Sequence, residues 1–397
     1  MASKILVLNS GSSSIKFAVF DSALQSEQPE RSLSGSLSGI GTNAELTIAA
    51  PGVAPSVTRV DAADHPSAIA QLFDALQSRH GLQQFSAVGH RIVHGGPDHF
   101  APQRVDAQLL KDLHDVIPFA PEHLPQAIAL IEAIAAQLPT VPQIACFDTA
   151  FHQNLPTVAR TLPLPRRYQA LGVRRYGFHG LSYEYLMRQL PQLGRADGRV
   201  ILAHLGNGAS MAAVRDGKPM DTTMGLTPAG GLVMGSRTGD IDPGIARFLE
   251  RHDQLTPEQF DHLVNHESGL RGVSDTTSDM RQLAAAQATD SRAAEAIELF
   301  CYSARKWIGA LSAALGGLDT LVFSGGIGEH SAETRSRICD GLQFLGIQIS
   351  PSLNSQNAAI ISRADASVVV RVTPTDEEST IFRAVVSLLS KKPELST

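Results

Sequence analysis

Residues 5–21 read ILVLNSGSSSIKFAVFD, and residues 201–217 read ILAHLGNGASMAAVRDG. Each is an apolar run, a turn of Asn, Gly and Ser, a second apolar run and a charged close. In the first stretch Ile15, Phe17 and Val19 alternate with Lys16 and Ala18, the period-2 signature of a strand. The turn is either a plain hairpin connection or a cradle for phosphate, because a backbone without Cβ lets an anion approach its N–H groups closely. Two matching stretches predict an internal duplication, two similar domains each opening on the same hairpin. Two unrelated hairpins are the alternative, since short Gly/Asn turns are common.

Composition narrows the classes. At 397 residues the chain suggests two or three domains, and with 43% apolar and 18% charged residues it can build a large core. A formal charge of −6 argues against general binding of nucleic acid or an anionic membrane. The three cysteines, Cys146, Cys301 and Cys339, lie far apart without metal-type spacing and fit a reducing compartment. The N-terminal apolar run is too short for a signal peptide and no run approaches the ~20 residues of a membrane span, so a soluble cytoplasmic protein is expected.

Beyond the first hairpin, Ser-, Gly- and Thr-rich sequence predicts more short strands. HPSAIAQLFDALQSRHG has helical spacing ending at Gly81, and AVGHRIVHGG reads as a strand breaking at a glycine pair. A helix lies between prolines in PQAIALIEAIAAQLP, and QIACFDTAFH is a buried strand with a polar end. Near Phe151 the pattern becomes Pro- and Arg-rich loop, a candidate domain boundary. After the second hairpin come AAEAIELFCYSARKWIGALSAALGG (helices), DTLVFSGGIGEH (strand, then glycine turn), a helix over SAETRSRICDGLQFLG, a strand in ASVVVRVTPTDEE and a closing helix, STIFRAVVSLLS. The class is α/β.

Three glycine-rich turns follow apolar strands: Asn9–Ser14, Leu205–Ser210 and Ser324–Ser331. None is a Walker A loop and none fits a Rossmann fingerprint. Arg91 and Arg237 sit in Gly-flanked loops, where the guanidinium fork suits carboxylate or phosphoryl oxygens; the alternative is a solvated loop arginine. His262 and His266 have i, i+4 spacing but Glu267 follows them, so a helix surface is expected rather than a zinc site. His90, His94 and His99 are expected to be structural. Asp148 and Glu377, at strand ends, suit a hard cation that takes few protein ligands.

Together VLNSGSSSIKF, HRIVHGG, FDTAFH, RRYGFHG, HLGNGAS, MGSRTGDIDPG, SDMR, GGIGEHS and PTDEE resemble, in order and over nearly the whole chain, the acetokinase family, whose members phosphorylate acetate, propionate or butyrate. The resemblance implies a duplicated actin-like ATPase (ribonuclease H-like) fold with two domains around a cleft: residues 1–150 plus 376–397 on the acetate and phosphoryl side, and 151–375 binding nucleotide and making the dimer interface. It implies reversible phosphorylation of acetate to acetyl phosphate, with ATP and ADP as the nucleotide pair, magnesium (manganese as the alternative) and a homodimer. By position, Asn9 and Glu377 match the metal site; Arg91 and Arg237 match the arginines that hold acetate and the phosphoryl group. His179 matches the histidine that stabilises the transition state, and Asp148 the active-site aspartate. Val93, Phe178 and Pro228 match the methyl pocket. Nucleotide contacts are implied for Lys16, for His204, Leu205, Gly206, Asn207 and Gly208, for Asp279, Met280 and Arg281, and for Gly326, Ile327, Gly328, Glu329 and His330. The chain departs from the family pattern at Glu122 (commonly apolar), at His330 and Asp376 (commonly Asn), and in GLSYEY after His179.

The chemistry explains such a set. Acetate is ionised at pH 7, so no base is needed to activate it. The barrier is bringing one anion against a polyanion, and positioned cations and donors lower it. A clamp ATPase of the same fold would not need arginines at the γ-phosphate.

Overall fold

The computed structural model describes residues 4–11, 14–21, 29–192 and 198–390. Ser12 and Ser13 lie outside the described residues. The chain divides into two compact units, one of Met1–Ala150 with Asp376–Thr397, the other of Phe151–Thr375.

In the first unit the strands are β1 (Lys4–Ser10), β2 (Ser14–Asp21), β3 (Arg31–Ser38), β4 (Glu45–Ala50), β5 (Val53–Arg59), β6 (Phe85–Ile92), β7 (Gln103–Arg104) and β8 (Gln143–Phe147). They form one sheet in the order β5-β4-β3-β2-β1-β6-β8-β7. The sheet is an antiparallel meander from β1 outward, while β1, β6 and β8 run parallel. Strand period 2 sorts the side chains to two faces. Leu6, Leu8, Ile15, Phe17 and Val19 meet helices His65–His80 and Leu124–Gln137 through Leu72, Leu76, Leu130 and Ile134. On the opposite face Phe20 packs on Phe382 of helix Glu377–Ser390, with ring centroids 4.7 Å apart. Gly89 allows that helix to approach: a Cβ there would lie 2.5 Å from Ile381 Cγ2. Helix His65–His80 starts at Asp64, which forms a capping box with Ser67, and stops at Gly81 with φ +72°.

The second unit has β9 (Arg199–Leu205), β10 (Ala209–Arg215), β11 (Lys218–Thr222), β12 (Thr320–Ser324) and β13 (Val369–Val372), in the order β11-β10-β9-β12-β13. β9, β10 and β11 are antiparallel, and β9, β12 and β13 are parallel. The run β3-β2-β1-β6-β8 of the first sheet has the same order and the same strand senses, so the duplication extends from the hairpins to both five-strand cores. Tyr183, Leu186 and Leu190 of helix Gly180–Gln192 cover Val200, Leu202, Ala212, Val214 and Val322.

Two segments differ from expectation. GGIGEH is a helix, Gly325–His330, rather than a turn: Gly325 takes φ +75° and its N–H donates to Glu329 Oε1 at 2.8 Å, closing the first turn. Residues 291–315 form one long helix, capped by Asp290 and ended by Gly316 with φ +71°. The boundary loop includes single turns at Thr157–Arg160 and Arg166–Gln169. His262 lies on the surface 3.3 Å from Glu267, with the His266 ring 4.8 Å away. No helix among the described residues is long and apolar enough to cross a membrane.

Candidate active site

The parallel strands β1, β6 and β8 are adjacent, so their carboxyl ends lie side by side, where open α/β sheets place their ligands. Asn9 is near the end of β1, Arg91 near the end of β6, and Asp148 directly follows β8. Arg91 Nε lies 3.1 and 3.0 Å from the two carboxylate oxygens of Asp148, and Nη2 donates to Oδ2 at 2.5 Å. Arg91 Nη1 donates to Asn9 Oδ1 at 3.0 Å, and Asn9 Nδ2 to Glu377 Oε2 at 3.1 Å. Asp148 has no exposed surface. Burial would lower the pKa of Arg91, but the charges of Asp148 and Glu377 outweigh it and raise the pKa, so the guanidinium stays charged. Each terminal nitrogen of Arg91 carries a second hydrogen beyond these bonds, available to an anion.

Arg91 faces two carboxylates here, since Glu377 Oε2 also lies 3.8 Å from its Nε. Negative charge is thus in excess among hard oxygen donors, Glu377 carboxylate and Asn9 amide, and a magnesium ion fits that donor set. Lys16, opposite Asn9 in register, is exposed on β2. Val93 is buried beyond β6, and next to it the His94 ring packs on Phe119, 5.2 Å between centroids. Glu122 is half-buried just before helix Leu124–Gln137. Asp376 accepts from Ser379 N and Oγ at the start of the last helix and pairs with Arg31, a cap and ion pair within this unit.

The second unit builds its own cluster on the same plan. Residues 206–208 turn β9 into β10, with Gly206 N bonded to Gly208 O at 3.0 Å. Asn207 O receives Gly235 N at 2.9 Å, which ties the Arg237 loop to the turn. That loop is further held by Met234 N to Arg237 O and Leu270 N to Met234 O, and Arg237 Nη1 donates to the half-buried Pro228 carbonyl at 3.2 Å. His179 takes φ +58° just before helix Gly180–Gln192, a backbone state that non-glycine residues hold mainly where surroundings enforce it. The preceding Phe178 is buried, and its carbonyl accepts from His152 Nε2 at 3.0 Å. A Cβ built on Gly208 would lie 3.5 Å from His179 Nε2 and 3.6 Å from Arg237 Nη1, so an imidazole and a guanidinium converge on this glycine.

A cavity of about 710 Å³ opens beside the turn, lined by Gly206, Asn207, Asp279, Met280, Arg281, Gly326, Ile327 and His330, and also by Ser278, Ala284 and Ser331. Parallel pairing explains it: Ser324 lies opposite His204, so helix Gly325–His330 starts beside the turn that ends β9. Gly325 sits against the Leu205 backbone, where a Cβ would come within 2.8 Å of its carbonyl oxygen. Asp279 caps helix Met280–Ala286 and is bonded by Arg281, which holds its pKa down at about 2. Glu329 turns Oε1 of its carboxylate inward, where it accepts from Gly325 N and Thr375 N. Sequence reading missed the hydroxyls around the histidines: Ser210 at His179 and Ser182 at His204. Single serines in an apolar pattern carry no signal of their own.

A family model described as the acetokinase family matches residues 4–383. The chain belongs to the acetokinase family. An acetate kinase of Rhodopseudomonas palustris is 43% identical over 395 residues, covering 97% of this chain and 98% of that protein. Among solved structures, acetate kinase of Porphyromonas gingivalis superposes with a TM-score of 0.86 at 36% identity, covering 98% of this chain and 100% of that one. A propionate kinase of Francisella tularensis gives 0.89 at 35% identity, covering 96% and 98%. The two five-strand cores are this family's duplicated actin-like ATPase fold.

Proposed function

We propose that this protein is an acetate kinase, transferring the γ-phosphoryl of ATP to acetate to give acetyl phosphate and ADP, reversibly. The observation that carries the reading is the convergence of His179 and Arg237 on Gly208. Donors of this kind stabilise a transferring phosphoryl group, whose charge spreads over its equatorial oxygens. Arg91, fixed by Asp148, orients the acetate carboxylate; Arg237 and His179 bind phosphoryl oxygens. Asp148 serves as the anchor of Arg91 and accepts no proton from acetate, which is already ionised. Asn9 and Glu377 would hold magnesium, which neutralises charge on the bound phosphates. The cavity at residues 206–208, 279–281 and 326–330 takes the nucleotide, and Lys16 would serve its phosphates, as the family resemblance implies. Val93, Phe178 and Pro228 receive the methyl group.

Propionate is the second reading, since a propionate kinase of Francisella tularensis is among the solved relatives. One methylene changes kcat/KM by only about 10–200-fold, so acetate, propionate and butyrate must be compared directly. A homodimer through the second unit is supported by helix Gly244–Asp253, which buries none of its residues and exposes Ile245 and Phe248. A cytoplasmic setting is supported by the burial of all three cysteines, of which the Cys301 and Cys339 thiols are pushed up to about 12 by burial. The test is hydroxamate formation from ATP, magnesium, acetate and hydroxylamine. ATP hydrolysis without acyl phosphate refutes the proposal.

A further inference from the structure

The His179 and His204 rings stack with centroids 4.2 Å apart and planes 23° from parallel. Each keeps its Nδ1 on a buried serine: Ser210 Oγ is 2.8 Å from His179 Nδ1, and Ser182 Oγ is 2.9 Å from His204 Nδ1. Each serine meets a second hydroxyl. Thr375 Oγ1 donates to Ser182 Oγ at 2.7 Å, and Tyr183 Oη lies 2.5 Å from Ser210 Oγ.

Proton counting gives these chains a direction. A hydroxyl has one proton. Ser182 accepts from Thr375 and directs its own proton to His204 Nδ1, which makes Nδ1 the acceptor and leaves the ring hydrogen on Nε2. In the other chain a phenol is a stronger donor than an aliphatic alcohol, so Tyr183 gives to Ser210 and Ser210 to His179 Nδ1. Both Nε2 atoms border the glycine turn, 3.5 Å from a Cβ built on Gly208 for His179 and 3.9 Å from one built on Gly206 for His204.

We propose that Tyr183–Ser210 and Thr375–Ser182 are twin hydroxyl relays that hold His179 and His204 as Nε2–H tautomers, so that the 206–208 turn is flanked by two ring N–H donors for the oxygens of a nucleoside triphosphate. Ser210, Tyr183, Ser182 and Thr375 are positioning residues that act through the rings. The inference rests on reading the turn and His179 as the phosphoryl site.

The deciding experiment is long-range ¹H–¹⁵N NMR of the full chain with labelled histidine, the two rings assigned with His179→Gln and His204→Gln. The expected pattern is a protonated Nε2 and a bare Nδ1 in both rings. A hydrogen on Nδ1 of either ring overturns the relay for that ring. Tyr183→Phe is expected to lower kcat about tenfold, less than the roughly 10²–10³-fold worth of a donor itself because Tyr183 acts only through the ring, with the KM for acetate within twofold and His179 moving to a mixture of tautomers. Unchanged kcat and tautomer overturn the Tyr183 relay. Should that variant fail to fold, the wild-type spectrum decides alone. His179→Gln, whose amide nitrogen falls near Nε2, is expected to keep more kcat than His179→Asn, whose amide falls near Nδ1; the reverse order overturns the inference. His179→Ala separates the two levels. A loss below tenfold removes His179 from the phosphoryl site, whereas a larger loss with an Nδ1–H tautomer leaves the site reading intact and ends the relay.

Discussion

Asp148→Asn tests whether Asp148 works as an anchor. The substitution keeps the volume and removes the charge that Arg91 faces through Nε and Nη2. Removing one partner of a buried ion pair costs about 3–5 kcal/mol, because the remaining charge stays desolvated. Arg91 keeps 15% side-chain exposure and has Glu377 at 3.8 Å, so the low end, about 3 kcal/mol, is expected. For a unit of this size that is a fall in Tm of roughly 6–12 °C. A guanidinium released from its anchor also mispositions acetate, and kcat/KM for acetate should fall about 10²–10³-fold, as when a single preorganised donor is lost. Thermal melting followed by circular dichroism reads the first quantity and the hydroxamate assay the second. An anchor makes the loss uniform across pH, whereas loss of a general base removes the acidic limb of the profile. A Tm within 1–2 °C of the parent together with kcat/KM within about threefold would refute the reasoning.

Arg237→Ala should lower kcat by roughly 10²–10⁵-fold, as for other arginines at a transferring phosphoryl group, and a loss of only a few-fold contradicts that role. Gly208→Ala should leave Tm nearly unchanged, since its Cβ makes only ordinary contacts at 3.5 and 3.6 Å, yet abolish most activity by occupying space between His179 and Arg237; retained activity would show that no phosphoryl oxygen lies there. Gly89→Ala should destabilise by about 1–3 kcal/mol, because its Cβ would meet Ile381 and Val385 at 2.5 and 2.8 Å; urea melts check this, and an unchanged midpoint refutes the close packing. Burial lowers His90 and His152 from 6.5 to about 4, against the hydrogen bonds their rings donate to Gln143 Oε1 and the Phe178 carbonyl. Between those values the unfolded chain binds more protons, so stability falls as pH drops from 6.5 toward 4, by up to about 3 kcal/mol per histidine. Urea midpoints at pH 7 and pH 4.5 measure it, and equal midpoints would show that neither histidine is buried neutral.

Much of the fold was legible because strand alternation and Asn/Gly turn chemistry are local: the two hairpins are visible in residues 5–21 and 201–217 and their matched sheet orders follow. Helix Gly325–His330 was not, because three glycines in six residues read as a turn, and what closes the helix is the inward carboxylate of Glu329. In the site, Arg91 and Asp148 each stood out, but a bond across 57 residues leaves no mark in sequence; it depends on β6 and β8 lying side by side. Glu329 shows the reverse, a residue inside a glycine-rich motif whose side chain holds the motif together. Asp376, in PTDEE, likewise serves the structure and caps a helix.

The close seat of helix Glu377–Ser390 on Gly89 has a consequence for biosynthesis. Asn9 and its partner Glu377 are 368 positions apart, and the whole second unit is translated between them. At about 5–20 residues per second the amino-terminal sheet waits on the order of tens of seconds on the ribosome with one face uncovered. Residues 151–375 can finish folding during that interval, so the unit begun first is completed last.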